Sequence, residues 1–123
     1  MNRDAYVEKN EELLASVPVF PGADRFEVSS SPYHGSDGEG DPIGYGTTHR
    51  FRLPKDASRV EVARFYKRRL SDEWVLVEEL VEARGERVVN FRREDAFLSV
   101  NLENRNVLEL SADHDSYGKL GRR

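Results

Sequence analysis

The chain has 123 residues, enough for one domain because domains average about 150 residues. Charged residues make up 34% of it and the net charge is −4, a balance that disfavours a general binder of nucleic-acid backbones. The lack of cysteine excludes disulfides, thiolate nucleophiles and cysteine-ligated zinc. We therefore predict a single domain over residues 1–123.

The first half of the chain has the pattern of a helix followed by a β-hairpin. Residues 1–17 carry apolar side chains at helical spacing, and Pro18 ends the helix. Residues 25–53 alternate apolar and polar side chains on either side of a glycine-rich stretch, which predicts two paired strands with a glycine-rich tip. In the second of these strands we expect His49 near the water-exposed end of the sheet.

The clearest local signal is the start of a second helix over residues 58–70. Ser58 and Glu61 have the spacing of a capping box, in which each side chain bonds the backbone of the other residue. Apolar residues then form an arc that predicts packing on a core. Basic side chains outside this arc form the surface that the sequence singles out for contact with a partner. They are Arg64, Lys67 and Arg68.

Beyond the second helix the apolar period changes from helical to alternating. Residues 73–113 contain four alternating runs separated by turn residues, which predicts a β-meander, and residues 115–123 form a polar tail. The predicted fold is therefore α+β, an antiparallel sheet of about six strands with one or two helices on one face. Three aromatic residues are expected to border a small apolar groove between helix and sheet. They are Tyr66, Trp74 and Phe91.

One loop segment resembles the start of a calcium-binding loop. Asp37, Glu39 and Asp41 alternate like its first three ligands. However, Pro42 stands where that loop needs glycine, and Thr48 stands where it needs a bidentate glutamate. This pattern favours a solvated loop tip and leaves open whether the tip binds a cation. We predict no metal site and no cofactor.

The sequence contains no motif for nucleophilic catalysis or phosphate binding. Histidine is the residue type best suited to acid–base chemistry, and His49 and His114 are the candidates. A small hydrolase or isomerase using one of them with a carboxylate is the alternative to a non-enzymatic protein. Such an enzyme requires a deep pocket in which the two groups approach each other. We assign no catalytic residue.

Three groups of residues occur in a recognisable order. They are Phe20, Pro21, Gly22 and Ala23; then Val62, Phe65, Tyr66 and Leu70; then Trp74. With the meander that follows, residues 18–113 resemble a small domain of unknown function in bacterial lipoproteins and membrane-anchored proteins. The resemblance implies a bacterial source and an anchored, extracytoplasmic location, but no activity. Glu73 stands where that group tends to have glycine.

The favoured function is a small, non-enzymatic binding or protein-interaction module, soluble, with a protein or a small ligand as its partner. Self-association through an exposed edge strand is a further alternative, so the chain is a monomer or a homodimer. The sequence disfavours nucleic acid as a partner and contains no apolar run of transmembrane length. The lack of a signal peptide and lipobox cysteine predicts a cytoplasmic protein, whereas the resemblance implies an anchored one.

Overall fold

A computed structural model describes residues 3–33 and 44–114 as two helices and six strands. The helices are α1, Arg3–Ser16, and α2, Arg59–Leu70. The strands are β1, Asp24–Tyr33; β2, Gly44–Arg52; β3, Val75–Glu82; β4, Gly85–Arg93; β5, Ala96–Asn101; and β6, Val107–His114. The predicted α+β class is confirmed.

The six strands form one antiparallel sheet in the order β1-β2-β6-β5-β4-β3. The hairpin β1–β2 lies at one side, and α2 carries the chain from β2 to the far edge, where β3 begins. The meander then returns strand by strand until β6 pairs with β2. This order makes β1 and β3 the two edges of the sheet.

Both helices pack on the same face of the sheet and enclose one hydrophobic core. α1 lies over β2 and β6, and α2 lies against β4. The fully buried centre includes Val62 and Tyr66 from α2 and Leu98, Leu108 and Leu110 from the sheet. The alternation of the strands supplies these residues, because every second side chain reaches the covered face.

The opposite face of the sheet is mainly polar over β2 and β6, and none of the described helices covers it. Arg50 lies on this face between two carboxylates, with its Nε 2.9 Å from Glu109 Oε2 and its Nη1 bonded to Glu27. Thr48 and Ser111 bond each other beside it, with 2.7 Å between their hydroxyl oxygens. The high charge content of the chain is therefore compatible with a core on only one side of the sheet.

The predicted capping box is present at the start of α2. The amide of Glu61 donates to Ser58 Oγ at 3.1 Å, and the amide of Ser58 donates to Glu61 Oε1 at 3.2 Å. The β3–β4 turn packs against this helix start. Gly85 has a φ of +115°, and a Cβ there would come within 2.8 Å of Val60 Cγ2. Glycine is thus needed both for the backbone conformation and for the space.

Two predicted segments lie outside the described residues. The first is the glycine-rich tip, which contains Asp37, Glu39 and Asp41. The second is the C-terminal tail, residues 115–123.

Gly85→Ala is expected to destabilise the protein by about 1–3 kcal/mol, because a residue with a Cβ is strained at this φ and collides with Val60. Urea unfolding monitored by circular dichroism measures this change. Gly46→Ala is the matched control, since its nearest neighbour for a Cβ is Ala112 O at 4.0 Å. An equal loss of stability in the two variants would contradict the prediction.

Candidate functional site

The outer edge of β3 is the most apolar exposed part of the described surface. β3 pairs with β4 on one side and with no described strand on the other. Five of its eight residues are exposed, large and apolar, and they are Val75, Leu76, Val77, Leu80 and Val81. Val75 is 65% exposed and Val81 is 60% exposed. Edge strands of monomeric proteins usually carry charges or proline instead, because an open edge invites pairing with another chain.

The other edge strand, β1, is more polar. Its second half contains three consecutive serines followed by Pro32, which lacks a backbone donor for a further strand. A register shift lies between Arg25 and Glu27, and the intervening Phe26 ring is covered by the Arg52 guanidinium at 5.1 Å. Among its described side chains, Phe26 and Val28 are the exposed large apolar ones. The apolar character is therefore concentrated on β3.

Ion pairs within the chain neutralise most of the charge on β3. Glu79 accepts from Lys67 Nζ at 2.9 Å, and Glu82 accepts from Arg59 Nη1 at 2.9 Å. The hydrogen bond from Arg59 lowers the pKa of Glu82. Glu78 instead accepts from the neutral amide of Asn90 at 2.9 Å. Among the described residues Glu78 is thus the β3 carboxylate without a cationic partner.

A depression of about 320 Å³ lies between α2 and the start of β3. Its lining residues are Lys67, Ser71, Trp74, Leu76 and Phe91. Trp74 and Phe91 are two of the three residues that the sequence suggested for a groove, and they border this depression from below. Leu76 joins the depression directly to the exposed edge of β3.

The third of those aromatic residues, Tyr66, lies inside the core. Its side chain is fully buried, and its hydroxyl oxygen accepts a hydrogen bond from the amide of Phe20 at 3.0 Å. Burial raises the pKa of this hydroxyl. Tyr66 therefore connects α2 to the segment after α1 and does not border the depression.

The basic residues of α2 divide into two groups. Lys67 faces the sheet, with Nζ 2.9 Å from Glu79 and 3.6 Å from Glu86. Arg64 and Arg68 are exposed and line a separate depression of about 380 Å³ together with Phe20 and Phe65, among others. The structure thus brings Lys67 to the β3 edge and leaves the two arginines on the outer side of the helix.

The expectation that His49 lies near the exposed end of the sheet is wrong. Its side chain is buried beneath α1, and its Nε2 lies 2.6 Å from Glu11 Oε1. The sheet alternation directs this side chain to the covered face, where α1 closes over it. Glu11 reaches this position from α1, and nothing in the spacing of the two residues along the sequence pairs them.

A second polar contact beneath α1 was missed altogether. Asn10 is fully buried and donates from Nδ2 to Tyr45 O at 2.7 Å and to Thr47 Oγ1 at 3.2 Å. Its Oδ1 lies 2.9 Å from His114 Nδ1. The burial of Asn10 could have been predicted from the helical period. Asn10 lies four residues from both Tyr6 and Leu14, so it shares their buried face.

These contacts bear on the alternative of a histidine enzyme. His49 does meet a carboxylate, but Glu11 occupies its Nε2 and the residue is only 6% exposed. The Oδ1 and Nδ2 atoms of Asn10 are likewise used for bonds to the sheet. The arrangement fastens α1 to β2 and β6, and it leaves the His49 imidazole almost fully buried.

Within residues 3–33 and 44–114, no three histidines, aspartates or glutamates are grouped as a metal site would require. The two helices in this part of the chain are too short and too polar to cross a membrane. Comparisons with protein-family models, with curated proteins and with solved structures found no match. We therefore infer function from the geometry alone.

Stability is expected to fall as the pH decreases below about 6.5, the usual pKa of histidine in an unfolded chain. Burial lowers the pKa of His114 in the folded protein, so the unfolded state takes up a proton first. Urea midpoints at pH 7.5 and 5.5 measure the effect. His114→Gln keeps a donor toward Asn10 and does not titrate, so its midpoint should change less. An identical pH dependence in both proteins would rule out this role of His114.

Proposed function

We propose that this protein is a non-enzymatic interaction module that binds an extended segment of a partner protein along the edge of β3. The observation that carries the proposal is the row of five exposed apolar side chains on that edge. An unpaired edge offers backbone donors and acceptors to an incoming strand, and neighbouring apolar side chains add affinity.

The residues around β3 favour an added strand whose side chains make contacts on both faces of the sheet. Leu76 pairs in register with Phe91 and lies on the helix side, beside the depression that contains Trp74. Val75 and Leu80 pair with Arg92 and Val88, on the side that lacks a helix. Alternate side chains of an added strand would therefore meet the depression on one side and apolar β3 residues on the other.

The carboxylate of Glu78 indicates which charge the partner segment should carry. Glu78 is exposed, and its described hydrogen-bond partner is the neutral Asn90. A lysine or arginine opposite Glu78 would supply the missing cation, and directly opposed unlike charges stabilise strand pairs. The partner segment that fits best is extended and apolar, with a basic residue near its centre.

Self-association through the same edge is the second candidate, favoured by the same apolar row. An antiparallel pairing that places Leu76 opposite Leu80 of a second copy also places the two Glu78 residues opposite each other. Opposed like charges destabilise a strand pair. The charge pattern thus favours a basic partner over a second copy.

Peptides selected from a phage-displayed library against the protein are expected to be apolar with a central lysine or arginine. The double variant Val75→Lys, Val81→Lys should weaken their binding by about tenfold or more, since it puts cations on the exposed edge. Fluorescence anisotropy with the synthetic peptides measures the Kd. Both replaced side chains are largely exposed, so the urea midpoint should stay close to that of the wild type.

Val28→Lys is the matched control, because it adds a cation to an exposed valine on the opposite edge strand. It should bind the peptides as the wild type does. Failure to select any peptide, or equal weakening by Val28→Lys, would contradict the proposal. Sedimentation that shows dimers in the wild type and monomers in the double variant would instead establish self-association.

A further inference from the structure

A third depression lies at one end of the sheet, beside the start of α2. Its volume is about 680 Å³. Three separate connections of the chain surround it, between β2 and α2, between β3 and β4, and between β5 and β6. The polar side chains that matter for its chemistry are Lys55, Arg59, Arg84, Glu103, Asn104 and Arg105.

Hydrogen bonds hold the β5–β6 connection to three neighbouring elements. The amide of Leu53 donates to Asn106 O at 2.8 Å, which joins the end of β2 to the β5–β6 turn. The amide of Leu102 donates to Arg87 O of β4 at 2.7 Å. Arg59 donates from Nη2 to Glu103 O at 3.4 Å, and this bond ties the start of α2 to the same turn. The wall of the depression that the β5–β6 connection forms is therefore anchored backbone.

Positive charge exceeds negative charge around this depression. Lys55, Arg84 and Arg105 are exposed and form no ion pair with another described residue. The carboxylate of Glu103 already has Arg87 Nε at 3.9 Å. Arg59 is paired with Glu82, which also accepts from Arg87 Nη1 at 3.5 Å. Three cations thus remain without a counter-charge in a chain whose net charge is −4.

We propose that this depression binds a small molecule that carries two or more linked phosphate groups. A volume of this size is typical of small-molecule sites. Arginine suits phosphate oxygens because its guanidinium donates in a planar fork, and Arg84 and Arg105 both line the depression. The three cations come from three different connections, so linked phosphates can reach more of them than a single phosphate can.

The depression at the sheet end is distinct from the β3 edge. Phosphate binding there does not depend on the binding of a partner strand to β3. A long nucleic acid fits the observations less well, because the polar face of the sheet carries carboxylates such as Glu27 and Glu109 near its centre. A compact anion needs to contact only the sheet end, where Lys55, Arg84 and Arg105 lie.

Titration calorimetry with tripolyphosphate, orthophosphate and sodium chloride at matched ionic strength tests the proposal on the full chain. Tripolyphosphate should bind with one site per chain and more tightly than orthophosphate. The double variant Arg84→Gln, Arg105→Gln should lose about tenfold or more in affinity for tripolyphosphate. Both side chains are exposed, so urea unfolding should confirm that the variant folds like the wild type.

Arg64→Gln, Arg68→Gln is the matched control, because it removes the same charge from exposed positions on α2. It should bind tripolyphosphate within about twofold of the wild type. Amide chemical shifts of the wild type should change at residues 55–59, 84 and 103–107. Equal losses in the two double variants, no heat of binding, or shifts confined to α2 would each overturn the proposal.

Discussion

The packing of α2 against the sheet determines which parts of this protein remain open. The helix receives the chain from β2 and delivers it to β3 at the far edge, so it crosses the sheet and buries Val62 and Tyr66 in the core. It packs against β4, and β3 lies beyond its main contact. The exposed apolar edge and the depression beside Trp74 both result from this placement.

The position of α1 on the sheet depends on buried hydrogen bonds as well as on apolar packing. Its apolar residues contribute to the core, but Asn10 and Glu11 connect it to the sheet through hydrogen bonds to Thr47, His49 and the β2 backbone. A buried polar group is costly unless it is bonded, so these contacts select one position of the helix over others that would also cover apolar surface. His49 and His114, the two described histidines, therefore each have a structural partner on α1.

The charges of the protein have two different environments. Along β3 the carboxylates of Glu79 and Glu82 are matched by cations from α2 and β4, which leaves an edge that is mainly apolar. At the sheet end Arg84 and Arg105 have no such match within the described residues. An apolar edge suits a protein strand, whereas an excess of guanidinium groups suits an anion. The two surfaces are thus suited to different partners.

The local structure of the protein can be predicted from its amino-acid sequence. The capping box of Ser58 and Glu61, the alternation in the strands and the helical spacing of α1 each involve residues close along the chain, and local geometry decides such features. The three-dimensional arrangement of the strands and helices was needed to show that β3 is an edge, that His49 is buried and that Arg84 and Arg105 border one depression. Strand order brings together residues distant along the chain, and an alternating pattern defines the faces of a strand but not its neighbours.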